Sequence, residues 1–91
     1  MSQATGTEAN CVTLARLLPG ESGLVRAFQG NSDIEYRLRE LGVIEGTRIY
    51  VKRLAPLGDP MELVVRGYSL SLRKKDAAHI LIRKLSDAHH A

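Results

Sequence analysis

The sequence is short of the residues that most chemistries require. It has one cysteine, Cys11, in 91 residues. No internal disulfide can form, and a reducing compartment, by default the cytoplasm, is the expected setting. It has no tryptophan, and its aromatic side chains are Phe28, Tyr36, Tyr50 and Tyr68, too few for the aromatic cluster of an RNA-recognition surface. No apolar run approaches the roughly 20 residues that span a bilayer. Met1–Asn10 lacks both the basic start and the apolar stretch of a signal peptide. No glycine-rich loop ends in Gly-Lys-Ser or Gly-Lys-Thr, so the chain has no phosphate cradle for hydrolysing GTP itself. No CxxC, HxxxH or HExxH spacing provides a closed metal site. The histidines are His79, at the boundary of a short helical turn, and His89 and His90, which lie with Asp87 in a polar tail. There are no paired carboxylates, no triad and no cofactor loop of the kind a catalytic site needs. Ser69 and Ser71 flank leucines on a strand and read as structural. An enzyme is not expected, and neither is a cofactor or a resident metal.

What is present is enough for one domain. The apolar fraction of 44% is that of an ordinary globular chain, and at this length a fold buries roughly 60–65% of its unfolded surface, sufficient for a single core. Residues 1–11 are expected to form a disordered extension, 12–85 the ordered domain, and 86–91 a flexible tail. Charge is uneven. Residues 1–45 carry four bases and six acids, whereas 46–85 carry nine bases and three acids. A basic half can steer an anionic partner. Equally, it is what the solvated faces of strands need for solubility.

The local pattern changes period along the chain. Leu14, Leu17 and Leu18 have helical spacing, Thr13 is placed to cap a turn, and Pro19-Gly20 ends it. Gly23 to Gln29 reads as the first long strand, with Leu24, Arg26 and Phe28 on one side and Val25 and Ala27 on the other. Ser32 and Glu35 have the spacing of a capping box. Ile34, Leu38 and Leu41 make an apolar helical stripe, Glu35 and Arg39 pair at i, i+4, and Gly42 supplies the left-handed residue that ends the helix. From Thr47 the period is two. Ile49 and Val51 face one side, and Arg48, Tyr50 and Lys52 the other. Met61, Leu63 and Val65 alternate with Glu62, Val64 and Arg66. Gly67-Tyr68 reads as a two-residue hairpin link with glycine first, a type II′ pattern. Leu70 and Leu72 follow, then a helical turn over Lys74–His79 and a last strand containing Ile80 and Ile82. The expected architecture is mainly β with one short helix, a small barrel of about five strands closed so that no edge is exposed.

The loop Ala55–Pro60 stands out. Pro56 and Pro60 fix φ and lack donors. Gly58 accepts a positive φ, and Asp59 can hold backbone amides locally. Such a stiff tip reads either as a plain hairpin end or as a preformed, partly apolar surface, Pro56-Leu57, offered to a partner with little entropy left to lose.

Three phrases taken together resemble the FeoA family of small cytosolic proteins of bacterial ferrous iron uptake. They are Arg37-Leu38-x-Glu40-Leu41-Gly42 with Gly46; Pro56-x-Gly58-Asp59-Pro60; and Gly67-x-x-Leu70-x-Leu72-Arg73 with Asp76-Ala77. The likeness runs from about Thr13 to Lys84. It implies an SH3-like barrel and a role beside FeoB, the membrane transporter with a cytosolic G-protein domain, as a binding or modulating partner. The same domain occurs in iron-dependent repressors, whose DNA-binding and dimerisation domains this chain has no room for. Candidate partner-binding residues are Tyr36, Arg37, Arg39, Pro56, Leu57, Gly58, Asp59, Pro60, Tyr68 and Arg73. Arg37, Arg39 and Arg73 are also the candidates for an arginine supplied in trans to a G protein, against the plainer role of surface ion pairing. The alternative function is a small basic barrel that binds nucleic acid, with Tyr50 and Tyr68 as stacking platforms. Oligomeric state is open between a monomer and a weak homo-oligomer.

Overall fold

The computed structural model describes residues 11–30 and 32–85, with Ser32 described as backbone only. The Ser32 capping box, the N-terminal extension before Cys11 and the Asp87-His89-His90 tail lie outside the described residues. In chain order the elements are β1 (Cys11–Thr13), a 3-10 turn (Leu14–Arg16), β2 (Ser22–Phe28), α1 (Ser32–Glu40), β3 (Arg48–Leu54), β4 (Met61–Val65), β5 (Tyr68–Leu72), α2 (Lys74–Ala77) and β6 (Ile80–Lys84). All six strands form one antiparallel sheet in the order β1-β6-β2-β3-β4-β5. The mainly β class stands, with β1 as a strand that periodicity did not reveal. It opens at Cys11, a residue assigned to the extension, and its three residues are too few to show an alternation. The sheet is curled rather than fully closed. Its terminal strands, β1 and β5, are not paired with each other.

Alternation places Ile49, Val51, Met61, Leu63, Val65, Leu72, Ile80 and Ile82 inside, where they meet Leu14 and Leu17. Burying each such side chain stabilises by about 1.5–3 kcal/mol. Strand β2 breaks its own alternation. Val25 faces Ile82, but Ala27 faces Leu81 and Phe28 faces Ile80, so Arg26 is the extra residue of a β-bulge. The bulge shifts the phase by one. Phe28, expected on the Leu24 side, therefore packs against the core.

Helix α1 ends as glycine dictates but not where the apolar stripe implied. Gly42 has φ +88°. The Gly42 amide bonds Arg39 O at 3.0 Å and the Val43 amide bonds Leu38 O at 2.8 Å, the paired bonds of a Schellman cap. The chain leaves the helical path at Leu41, which is 43% exposed. Val43 takes its place in the core beside Ile34 and Leu38.

The β4–β5 link also differs in frame. Val65 pairs with Tyr68, so the link is Arg66-Gly67. Both residues have positive φ, +50° and +89°, which makes it a type I′ turn. Tyr68 is the first residue of β5, and Arg66 takes the first left-handed position. The short turn after β1 is 3-10, Thr13 makes no side-chain cap there, and Leu18 falls outside it and is exposed.

Glu21, just before β2, ties the end of β6 to the turn at Leu18. Its carboxylate accepts from Lys84 Nζ at 2.7 Å and from the Leu18 amide at 2.8 Å. These bonds, the Lys84 one foremost, hold its pKa below the ordinary carboxylate value. A lowered folded-state pKa stabilises above the unfolded value and stops doing so as pH falls through the folded one. Because Lys84 is half in solvent, Glu21→Gln is expected to cost at most about 1 kcal/mol near neutral pH. The gap from the parent should close in acid, below the folded-state pKa of Glu21. Urea unfolding from pH 7 to pH 3 measures it, and a gap that stays constant across that range would contradict the assignment.

Candidate partner-binding surface

The loop between β3 and β4 is built by its prolines and glycine. The Gly58 amide donates to Ala55 O at 2.7 Å and the Ala55 amide to Pro60 O at 3.0 Å. Pro56 and Leu57 are thereby the central residues of a tight turn, with Gly58 at φ +89° and the Asp59–Pro60 bond cis. Leu57 has nowhere to turn inward and is 95% exposed. Asp59, expected to hold amides of its own loop, bonds a distant one instead. Its Oδ1 accepts from the amide of Lys74 at 2.9 Å, satisfying one of the free donors that begin α2. A carboxylate there also suits the positive end of the helix. The tip is thus held from two directions, by its own turn and by an element further along the chain. Arg73, the residue before α2, stands exposed beside it.

Tyr68 lies at the other end of β5. Its hydroxyl donates to Leu41 O, and Arg66 folds over Gly42, where an added Cβ would lie 3.2 Å from the Arg66 Cδ and Nε. The start of β5 is therefore latched to the end of α1. Tyr68 is still 38% exposed, so its ring is partly available while its hydroxyl is occupied.

The helix candidates form a separate group. Tyr36 and Arg37 are exposed on α1. Arg39 is engaged by Glu35, at 2.9 Å from Nη2 and 3.0 Å from Nε, the surface pairing that competes with a role in trans. Arg37 and Arg73 enter no ion pair among the described residues. The structure thus joins Pro56–Pro60 to Arg73, and Tyr68 to the end of α1. Leu41 and Ile44 are exposed apolar residues that sequence reasoning missed. The available signal was Gly42 itself, because a helix stopped there cannot carry Leu41 on its buried stripe.

His79 is occupied structurally, its Nδ1 lying 2.8 Å from Gln29 O. No group of three or more His, Cys, Asp or Glu side chains able to hold a metal comes together among the described residues. No helix among them is long and apolar enough to cross a membrane.

Comparison with known proteins places this geometry. The sequence model of the FeoA domain matches residues 12–84. A protein of Porphyromonas gingivalis described as an Fe(2+) transport protein A/Fe(2+) transporter FeoB fusion is 33% identical over 73 residues, 80% of this chain. The aligned part is only 9% of that longer protein. The solution structure of a FeoA-like protein from Clostridium acetobutylicum superposes with a TM-score of 0.79 at 35% identity, covering 90% of this chain and 95% of that one. The zinc-complexed FeoA of Stenotrophomonas maltophilia gives 0.70 at 27% identity, covering 81% and 95%. It is described as a prokaryotic SH3-domain protein and a candidate ferrous iron transport activating factor.

Proposed function

Since the chain belongs to the FeoA domain family, whose members are associated with ferrous iron transport, we propose that it is a non-catalytic accessory protein that binds a FeoB-type transporter. On this reading it acts at the cytosolic face and modulates the assembly or the G-protein activity of that partner. The family is one of accessory transport domains rather than enzymes. The Porphyromonas gingivalis relative, which carries both transport protein A and FeoB in one chain, supports the choice of partner.

The observation that carries the reading is Leu57. A leucine held almost fully in solvent on a rigid tip gains about 1.5–3 kcal/mol if a partner covers it, and little ordering entropy opposes that gain. The proposed contact surface comprises Pro56, Leu57, Gly58, Asp59, Pro60 and Arg73, with Tyr36, Arg37, Arg39 and Tyr68 further along the same molecule. The test is titration calorimetry into a detergent-solubilised FeoB-type transporter, with GDP and with a GTP analogue. Saturable binding is expected, and Leu57→Asp should weaken it about 30-fold, the effect of losing a hot-spot side chain. Binding absent in both nucleotide states would overturn the reading, and an unchanged affinity for Leu57→Asp would remove the tip from the interface.

A further inference from the structure

We propose that the free edge of β5 takes up an extended, acid-flanked segment of a partner protein as an added antiparallel strand. This deepens the accessory role and rests on the chain having a protein partner.

Backbone hydrogen bonds fix which groups of β5 face outward. The Val51 amide donates to Glu21 O, and Val51 O accepts from Gly20 N, so the polar groups of Val51 face away from β4. Bonded positions alternate along a strand. Tyr50 therefore bonds its partner Val64, which turns the groups of Val64 toward β3 and those of Leu63 toward β5. Leu63 bonds Leu70, and Val65 bonds Tyr68 across the type I′ turn. The N–H and C=O of Ser69 and Ser71 are left pointing away from the sheet. Both residues are exposed, and neither makes a hydrogen bond to any third element among the described residues.

Edge strands normally carry a lysine, a proline or a bulge that blocks further pairing. Tyr68-Ser69-Leu70-Ser71-Leu72 has none of these and runs in unbroken register with β4. Leu70 is only partly buried, so an arriving strand would cover it. Charge then selects the occupant. The uncharged strand is bracketed by Arg66 on one side and by Arg73, Lys74 and Lys75 on the other, and residues 66–75 contain no acid. A second copy paired antiparallel about Leu70 would bring the Arg66 end of each chain toward the Arg73, Lys74 and Lys75 end of the other, and like charges so gathered repel. An incoming strand with acidic residues at both ends meets complementary charge instead.

The probe is a capped synthetic peptide, Glu-Glu-Val-Thr-Val-Thr-Val-Glu-Glu, titrated into the full chain and followed by amide NMR and hydrogen exchange. The Ser69 and Ser71 amides should shift and gain protection, while the Leu70 amide, already bonded to β4, should change little. Ser71→Pro removes one outward donor without touching the β4 ladder and should weaken uptake by about tenfold or more. The paired change Arg73→Glu with Lys75→Glu, which leaves the ladder intact, should do the same and covers the case in which the proline variant fails to fold. Three results would overturn the proposal. One is the absence of shifts at Ser69 and Ser71. Another is equal binding of a peptide with lysines in place of glutamates. The third is protection of those amides that follows protein concentration without peptide, which means self-pairing. Transporter binding that persists without peptide uptake removes the edge site alone and leaves the accessory function standing; loss of transporter binding by the parent chain removes that function.

Discussion

Leu63→Ala is expected to lower the unfolding free energy by about 2–5 kcal/mol. Leu63 is fully buried in β4, opposite Val51 on one side and Leu70 on the other. Strands paired on both flanks keep the surrounding backbone from closing over the space that the lost atoms leave. A domain of this size has a total stability of about 5–10 kcal/mol, so the substitution removes a large share of it. At about 4–8 °C per kcal/mol, the melting temperature should fall by about 10 °C or more. Thermal and urea unfolding followed by circular dichroism give the value. A shift of only about 2 °C would mean that the core relaxes around this position in a way the sheet pairing does not allow.

Gly23→Ala is the second change with a large effect, and it acts by adding an atom. Gly23 is buried in β2, and a Cβ there would lie 2.5 Å from Ile82 Cδ1 and 3.2 Å from Arg83 O. The methyl of Ile82 can turn aside, but the carbonyl belongs to β6 and moves only with the ladder. The expected cost is about 1–3 kcal/mol, larger than the gain that replacing a strand glycine usually brings. Ile82→Val removes Cδ1 and should cost about 0.5–1.5 kcal/mol in the parent. In the Gly23→Ala background it should cost less, because the shortest of the new contacts, the one to Cδ1, leaves with the methyl while the one to Arg83 O remains. Coupling of that sign in a double-mutant cycle checks the contact, and strict additivity would contradict it.

Much of the fold was legible because its signals are local. The strands at Met61–Val65 and Ile80–Lys84 carry their buried residues at every second position, and Gly42 stops α1 with its own backbone. What could not be read was set by pairing across the sheet. The bulge at Arg26, which turns Phe28 inward, depends on how Ala27 meets Leu81. Strand β1 exists because β6 offers it an edge. The β4–β5 turn is framed by the register of Val65 with Tyr68 and not by the position of Gly67 alone. At the candidate surface the rigidity and exposure of Leu57 followed from its prolines and glycine. The bond from Lys74 to Asp59 and the latch from Tyr68 to Leu41 span too much chain for any window of sequence to show. The match of three ordered phrases nevertheless identified the family, since each phrase preserves a backbone constraint that the fold requires.

The sheet order also sets a sequence of events during synthesis. Strand β6 follows β2 to β5 in the chain yet lies between β1 and β2, so β1 and β2 leave the ribosome with no partner in each other. β2, β3, β4 and β5 can pair in succession as they emerge, whereas β1 gains its neighbour only when residues 80–84 are made. Until then the apolar faces of Val25 and Leu14 have no cover from Ile80 and Ile82. Such non-local closure slows folding relative to its local hairpins and leaves a nascent chain with two unfilled edges, a form that aggregates more readily than the finished domain.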